Sequence, residues 1–542
     1  MAGASRPTTA QAVDLAPREF RVSSGLVAIV CVGLAFGAYF VLRYLGLWSE
    51  NDTAVFSRVI TGLQRAGGFD YPGRYVHGYA YPVWGAGLSD LTGLPAAKLL
   101  QLYTPLLGNL LLGVFGFAAF RKLLGSTRLG LLAATLMFLV PELVFTVSRG
   151  NHEKLTVSLT LFALLSLLNS FLEASREDRR WGVFAAWVAV YYLAAFTLVT
   201  INALFGSSFI VAATLTMAFA FAALRRAPQS AGQLGYVVQR LTLISGVSWL
   251  LVALVMFFVY PSAGRDLGLL RTTIDRLSAL FLSFSPESNP FSAAPDAWAS
   301  LGVYRLVSSF RWFLFGASFV TWLWLLRRAW RDLGAVPLAR LFMLALYVGF
   351  GVQLALSGVV DLLGLAAGTN LQVRLYTYFA LLAAPVLAHG LWAFTQRFRT
   401  SRGRTLLSGA LGALLIGFTL LSLLKATLDP SVSNRWWFYR PAEVEAIHFW
   451  DARQQYGSLW VGVAGRLRNA YAVSYPAGSA NHNAFDILGV DPQTADALRS
   501  PVIEAAAVAW RVPPPGLWLG DRTYDDGDTQ IFHRIPQTPF QH

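Results

Sequence analysis

The chain is 542 residues long, 55% hydrophobic and only 13% charged. That balance excludes a soluble globular protein and points to a polytopic α-helical membrane protein. Its formal net charge of +14 is not a nucleic-acid signal, because the basic residues gather in short stretches between apolar runs, where the positive-inside bias puts them.

Residues 1–21 are polar and carry Arg6, Arg18 and Arg21. The apolar run that follows, at 24–47, is too long for a signal-peptide core and has no small-residue cleavage site, so it reads as an uncleaved first span with a cytoplasmic N-terminus. Its Cys31 is the only cysteine, which excludes an internal disulfide framework and a cysteine-based metal site. About ten further stretches are long enough to cross the hydrocarbon, at 99–120, 129–147, 155–173, 181–200, 203–224, 241–260, 304–326, 341–361, 376–396 and 405–424. Arginine clusters at 121–128, 176–180, 225–226, 327–328 and 397–399 alternate with them. The intervening loops, and everything after 424, are therefore expected on the outside of a plasma (inner) membrane.

Three non-spanning pieces fall on that side. The first, 48–98, is expected to open with a short amphipathic helix, since Val55, Val59 and Leu63 share one helical face and Gly67-Gly68 ends it. A tyrosine-dense stretch from Asp70 to Pro82 follows. The second piece, about 262–303, mixes charged residues with a Pro/Ser/Asn run and is expected to fold over the bundle. The third, 425–542, has the turn signals of a small α/β domain. A helix is expected from Pro441, a strand over 458–463, and a hairpin about Asp525-Asp526-Gly527-Asp528.

Four clusters can carry chemistry. Glu50-Asn51-Asp52 puts two carboxylates at i and i+2 beside the membrane. Such a pair can share a Mg2+ or Mn2+ ion, and either member can accept a proton from an attacking hydroxyl. Asn51 or Asp52 is equally placed to N-cap the next helix. The second cluster is Pro141-Glu142 with Arg149-Gly150-Asn151-His152-Glu153-Lys154, which brings a nitrogen ligand, carboxylates and cations to the same side. Arg374, in the third, is a basic residue on the outer side against the bias, and its planar fork suits a phosphate oxygen pair. In the fourth, Arg74, His77 and Tyr79 are placed to contact a sugar or to sit in the interfacial aromatic belt.

The order of elements, with an E-x-D motif in a long first outer loop, resembles the GT-C superfamily of membrane glycosyltransferases over nearly the whole chain. No WWDYG-type signature of the oligosaccharyltransferases is present; Arg435-Trp436-Trp437 is not one. The resemblance implies an all-α polytopic bundle over 1–424 with a catalytic loop at 48–98, followed by an extracytoplasmic domain at 425–542. It implies a sugar donor on a polyprenyl phosphate, inverting transfer to a glycan, lipid or protein acceptor, and a divalent metal in some members. On that pattern Asp52 is the base or metal-held carboxylate, with Glu50 sharing the metal or orienting it. Arg374 and Arg149 take the departing phosphate. His152, Glu153, Tyr79, His77 and Arg74 are secondary or acceptor contacts. The alternative is a transporter or flippase for lipid-linked glycans, which calls for ionisable groups at mid-bilayer or an internal repeat; here those groups gather on one outer face.

Overall fold

A computed structural model describes residues 24–47, 51–68, 74–175, 180–226, 231–264, 309–331, 336–362, 371–397, 401–426, 441–453, 459–460, 496–499, 521–527 and 529–533, with isolated positions at 268, 271, 275, 278, 305 and 306. The elements in order are α1 (Ser24–Tyr44), α2 (Asn51–Ala66), α3 (Ala80–Thr92) and α4 (Ala96–Leu124, a π-helical turn at Leu99–Tyr103 included). Then come α5 (Thr127–Met137), α6 (Pro141–Ser148), α7 (Glu153–Ala174), α8 (Trp181–Ile201), α9 (Ala203–Gly206) and α10 (Ser208–Arg226). The remaining helices are α11 (Ala231–Leu254), α12 (Ser309–Arg331), α13 (Leu338–Leu362), α14 (Leu371–Thr395), α15 (Ser401–Ala426) and α16 (Pro441–Arg453). Four strands close the sequence: β1 (Leu459–Trp460), β2 (Asp496–Arg499), β3 (Asp521–Asp525) and β4 (Gln530–His533).

Among the described residues nine helices are long and apolar enough to cross a membrane, and a tenth crossing arises if α5 and α6 form one span. Those two expected to form a single helix over 129–147 meet at a 77° bend. Pro141 explains the break: it lacks an N–H and clashes with a continuing helix, so α6 starts afresh with proline in its first turn. The expected span at 203–224 is likewise interrupted, by Ser207 between α9 and α10. The protein is thus a multi-pass helical membrane bundle, and α7 and α14 are its interior. In α7, 72% of the most apolar window is buried inside the protein, against 6% in α15, which faces outward.

Lipid supplies no hydrophobic drive between helices, so contact depends on close backbone approach. At Gly33 and Gly37 of α1 a Cβ would meet the backbone of α4 at 2.8 and 2.7 Å. At Gly108 it would meet the Val147 carbonyl of α6 at 2.1 Å. Beside that contact, buried Asn109 donates to the Ser148 hydroxyl at 2.9 Å and fixes α6 against α4.

The strand order is β1-β2-β4-β3, with β1 parallel to β2 and the other pairings antiparallel. The expected hairpin is present as β3–β4. Gly527 has φ +86, and the Asp525 and Asp526 carboxylates accept from Gly527 N (2.9 Å) and Thr529 N (2.6 Å). The expected helix at 441 is α16, whose Phe449 packs on Tyr524 at 4.6 Å between ring centres. The expected strand over 458–463 is described only as Leu459–Trp460, and most of the 262–303 segment lies outside the described residues.

Candidate active site

α2 forms because its apolar positions fall on one face. Phe56, Val59 and Ile60 are buried there, whereas Val55 and Leu63 of the expected face are only half-buried, and Asp52 sits in the first turn, where a carboxylate complements the helix dipole. Phe56 is ringed by Tyr75, Tyr81 and His152, with ring centres 4.9, 4.8 and 5.5 Å away. That packing holds α2 against the turn between α6 and α7. Gly150 makes the junction: its N–H donates to the Thr53 hydroxyl at 3.1 Å, and its carbonyl accepts from Tyr81 at 2.9 Å. A Cβ at Gly150 would lie 2.4 Å from the Thr53 oxygen. Gly150→Ala is therefore expected to displace the turn and lower turnover by roughly a hundredfold, the scale of an ångström-level misplacement, in a steady-state assay of the purified protein.

The turn delivers Arg149 and Glu153 to Asp52. Arg149 lies 3.5 Å from the Asp52 carboxylate and 2.7 Å from Glu153, the first residue of α7. Asn151 donates to the same Glu153 oxygen at 3.0 Å, and Arg374, in the first turn of α14, stands 3.8 Å from the other. Arg374 reaches there because α14 is anchored at its start: Asp361 of α13 is buried and accepts from Leu371 N (3.2 Å) and Gln372 N (2.6 Å). Of the two guanidiniums, Arg149 is mostly buried, whereas Arg374 is 44% exposed and open to an incoming anion. Burial, reinforced by Glu153, holds the Asp52 carboxyl above the usual carboxylate range against the pull of Arg149 and Arg374. Its side chain is still one-third exposed, at 33%.

Behind this cluster lies a neutral network. Burial pushes the His152 pKa down to about 3, so its ring is uncharged at neutral pH. It stands 3.4 Å from the Tyr75 hydroxyl and 3.0 Å from the Asn202 amide, while the Asn202 carbonyl oxygen caps α9 by accepting from Phe205 N at 2.9 Å. Tyr75 and Asn202 are functional neighbours that sequence reasoning missed. The available signal for Asn202 was a polar, cap-forming residue in the two-residue gap between apolar runs at 181–200 and 203–224.

The structure therefore brings together Asp52, Arg149, Glu153, Arg374 and His152. His77 stacks edge-on to Tyr75 at 5.2 Å, and its carbonyl accepts from Ala203 N at 2.9 Å. Tyr79 packs on Tyr260 at 5.5 Å, and half-buried Arg74 lies within electrostatic range of the same tyrosine. Glu142 is not in the cluster: it pairs with Arg311 (3.6 Å) and Lys425 (3.5 Å) at the far end of α6. Glu50 lies outside the described residues.

A divalent cation needs oxygen donors with negative charge to spare. Here Asp52 and Glu153 are matched by Arg149 and Arg374, and among the described residues no three His, Cys, Asp or Glu side chains gather as a ligand set. The expected Mg2+ or Mn2+ pair is Glu50 with Asp52, and Glu50 lies outside the described residues.

No family model matches the chain, and no curated protein matches its sequence. Among solved structures it is similar to the Archaeoglobus fulgidus oligosaccharyltransferase tethered to an acceptor peptide, at 13% identity and TM-score 0.50, over 94% of this chain and 74% of that one. The apo form of the Archaeoglobus fulgidus oligosaccharyltransferase is similar at 13% identity and TM-score 0.47, over 83% of this chain; the chain spans 59% of that structure's length. ArnT from Cupriavidus metallidurans bound to undecaprenyl phosphate is similar at 15% identity and TM-score 0.36, over 94% of this chain and 97% of that one. Identities this low speak to fold alone, and the chain shares the fold of that oligosaccharyltransferase structure.

Proposed function

We propose that the protein is a membrane glycosyltransferase that moves a sugar from a polyprenyl-phosphate donor to a hydroxyl-bearing acceptor, with inversion at the anomeric carbon. The observation that carries this reading is the juxtaposition of the partly exposed Asp52 carboxylate, 3.5 Å from Arg149, with the 44% exposed guanidinium of Arg374 across Glu153. The acceptor oxygen attacks the anomeric carbon as the bond to the phosphate oxygen breaks. Asp52 takes the acceptor proton, and a carboxyl held above its usual range is the stronger base. Arg374 meets the charge growing on the departing phosphate, where a preorganised cation contributes most. Arg149 and Asn151 keep Glu153, and through it Arg374, in place.

In this reading residues 1–424 carry the chemistry, with 48–98 as the catalytic outer loop, and 425–542 form a soluble domain. Both the site and that tail face the outside of the plasma membrane, and the N-terminus faces the cytoplasm. The transporter alternative gains nothing from the ion cluster, which sits at helix ends and not at mid-bilayer.

The test is release of free polyprenyl phosphate from labelled polyprenyl-phosphate sugars by purified protein, given a cell-envelope fraction as acceptor. Turnover is expected, and a chelator arm decides whether a metal takes part. Transfer abolished by chelation would point to a metal shared by Glu50 and Asp52. Movement of intact lipid-linked sugar between leaflets, without release, would favour the transporter.

A further inference from the structure

Arg374 is held from two sides, and only one of them carries charge. On the first stands Glu153, 3.8 Å away. That carboxylate is already engaged by Arg149 at 2.7 Å and by the Asn151 amide at 3.0 Å, so its pull on a second, more distant cation is reduced. On the second side the Arg374 guanidinium lies over the Phe205 ring, 5.3 Å from its centre. Phe205 is 6% exposed, whereas the Arg374 side chain is 44% exposed. A buried ring thus underlies a cation half open to solvent, and the negative face of an aromatic ring attracts a guanidinium.

The ring can act as a platform because its own support is fixed. Phe205 belongs to the short helix α9, which starts on Asn202. The Asn202 Oδ1 accepts from Phe205 N at 2.9 Å, which leaves the amide nitrogen facing His152 Nε2 and the Tyr75 hydroxyl, each at 3.0 Å. His152 Nε2 is therefore assigned as the acceptor, with the ring proton on Nδ1. Ala203 N donates to the His77 carbonyl at 2.9 Å, and a Cβ at Gly206 would collide with the Leu198 carbonyl of α8, so α9 has little room to shift. The contacts close a circle. His152 holds Asn202, Asn202 caps Phe205, Phe205 underlies Arg374, and Arg374 reaches Glu153, the residue after His152.

A half-exposed arginine otherwise samples many rotamers, and a cation that must be ordered during the reaction helps less than one ordered beforehand. Resting on the transferase reading above, we infer that Phe205 is a positioning residue that holds the Arg374 guanidinium ready for the departing phosphate, with Asn202 setting the ring.

The full-length protein, Phe205→Leu, Arg374→Met and the double variant would be compared in the polyprenyl-phosphate release assay. Phe205→Leu is expected to lower kcat by roughly 3- to 30-fold, the span of a cation–π contact between exposed and desolvated settings, with KM little changed. Phe205→Tyr keeps an aromatic face and is expected to retain most of kcat. In the Arg374→Met background, Phe205→Leu should cost under about twofold, because the ring then has no cation to hold. A ring that served packing alone would give additive losses, and additivity would overturn the assignment. So would an unchanged kcat in Phe205→Leu, or a Phe205→Tyr variant as impaired as Phe205→Leu. If Phe205→Leu does not fold, Phe205→Met, an adaptable apolar side chain without an aromatic face, takes its place in the cycle. Unaltered protein that neither releases nor binds polyprenyl phosphate would sink the transferase reading and this assignment with it. Turnover with additive losses would sink the assignment alone.

Discussion

Asp52→Asn is expected to lower transfer by about a hundred- to ten-thousand-fold, the usual contribution of a positioned general base, while leaving insertion and folding intact. Asparagine keeps the shape and the helix-end position of the carboxylate; it loses the charge, and with it the ability to take a proton and the ion pair with Arg149, which retains Glu153. The loss should appear in kcat more than in KM, because the proton moves only as the new bond forms. The unaltered protein should show a matching acid limb. Since burial holds the Asp52 carboxyl above the ordinary range, its base form is lost as pH falls through that raised value, and activity should drop earlier than for an unperturbed aspartate. His152, held near 3, stays neutral over the same interval and contributes nothing to that limb. A pH–rate profile on kcat/KM checks this, and a profile flat down to pH 4 would remove Asp52 from the role of base.

Arg149→Met is expected to have the largest effect on stability. It removes the cation 2.7 Å from Glu153 and 3.5 Å from Asp52, and leaves Glu153, whose side chain is only 9% exposed, with the Asn151 amide and the more distant Arg374. Breaking a buried pair from one side costs about 3–5 kcal/mol, since the remaining charge is desolvated without compensation. Thermal unfolding of the solubilised protein should register that loss. The double change Arg149→Met/Glu153→Gln should recover most of the stability, because neither partner is then a stranded charge, yet recover little transfer. A double variant with full transfer would show that Arg149 and Glu153 serve the fold alone.

Much of this site was legible in the sequence, and for identifiable reasons. The amphipathic pattern after Asn51 predicted α2, and charged residues on one side of a membrane chain are expensive enough to be informative: Asp52, Arg149, Glu153 and Arg374 were all candidates and stand within one ion-pair chain. What the sequence concealed depends on long-range hydrogen bonds. The tyrosine-rich stretch read as sugar contacts or as part of the interfacial aromatic belt, and neither reading foresaw that its backbone is tied down by Tyr79 N to Thr200 O (2.9 Å), Ala203 N to His77 O (2.9 Å) and Tyr260 to the Tyr75 carbonyl (2.6 Å). No local pattern encodes partners more than a hundred residues away. Glu142 shows the opposite error: its proximity in sequence to Arg149 placed it in the cluster, but the whole of α6 separates the two, and it pairs instead with α12 and α15.

The backbone-to-backbone seam that joins α1, α4 and α6 has a consequence for handling the protein. Contact at Gly33, Gly37 and Gly108 is a matter of dispersion between atoms already touching, and it owes nothing to the lateral pressure of surrounding acyl chains. Replacing lipid by detergent alters that pressure but not those contacts. The platform beneath Asp52 should therefore survive extraction in a micelle, even where the outward-facing α15 loosens.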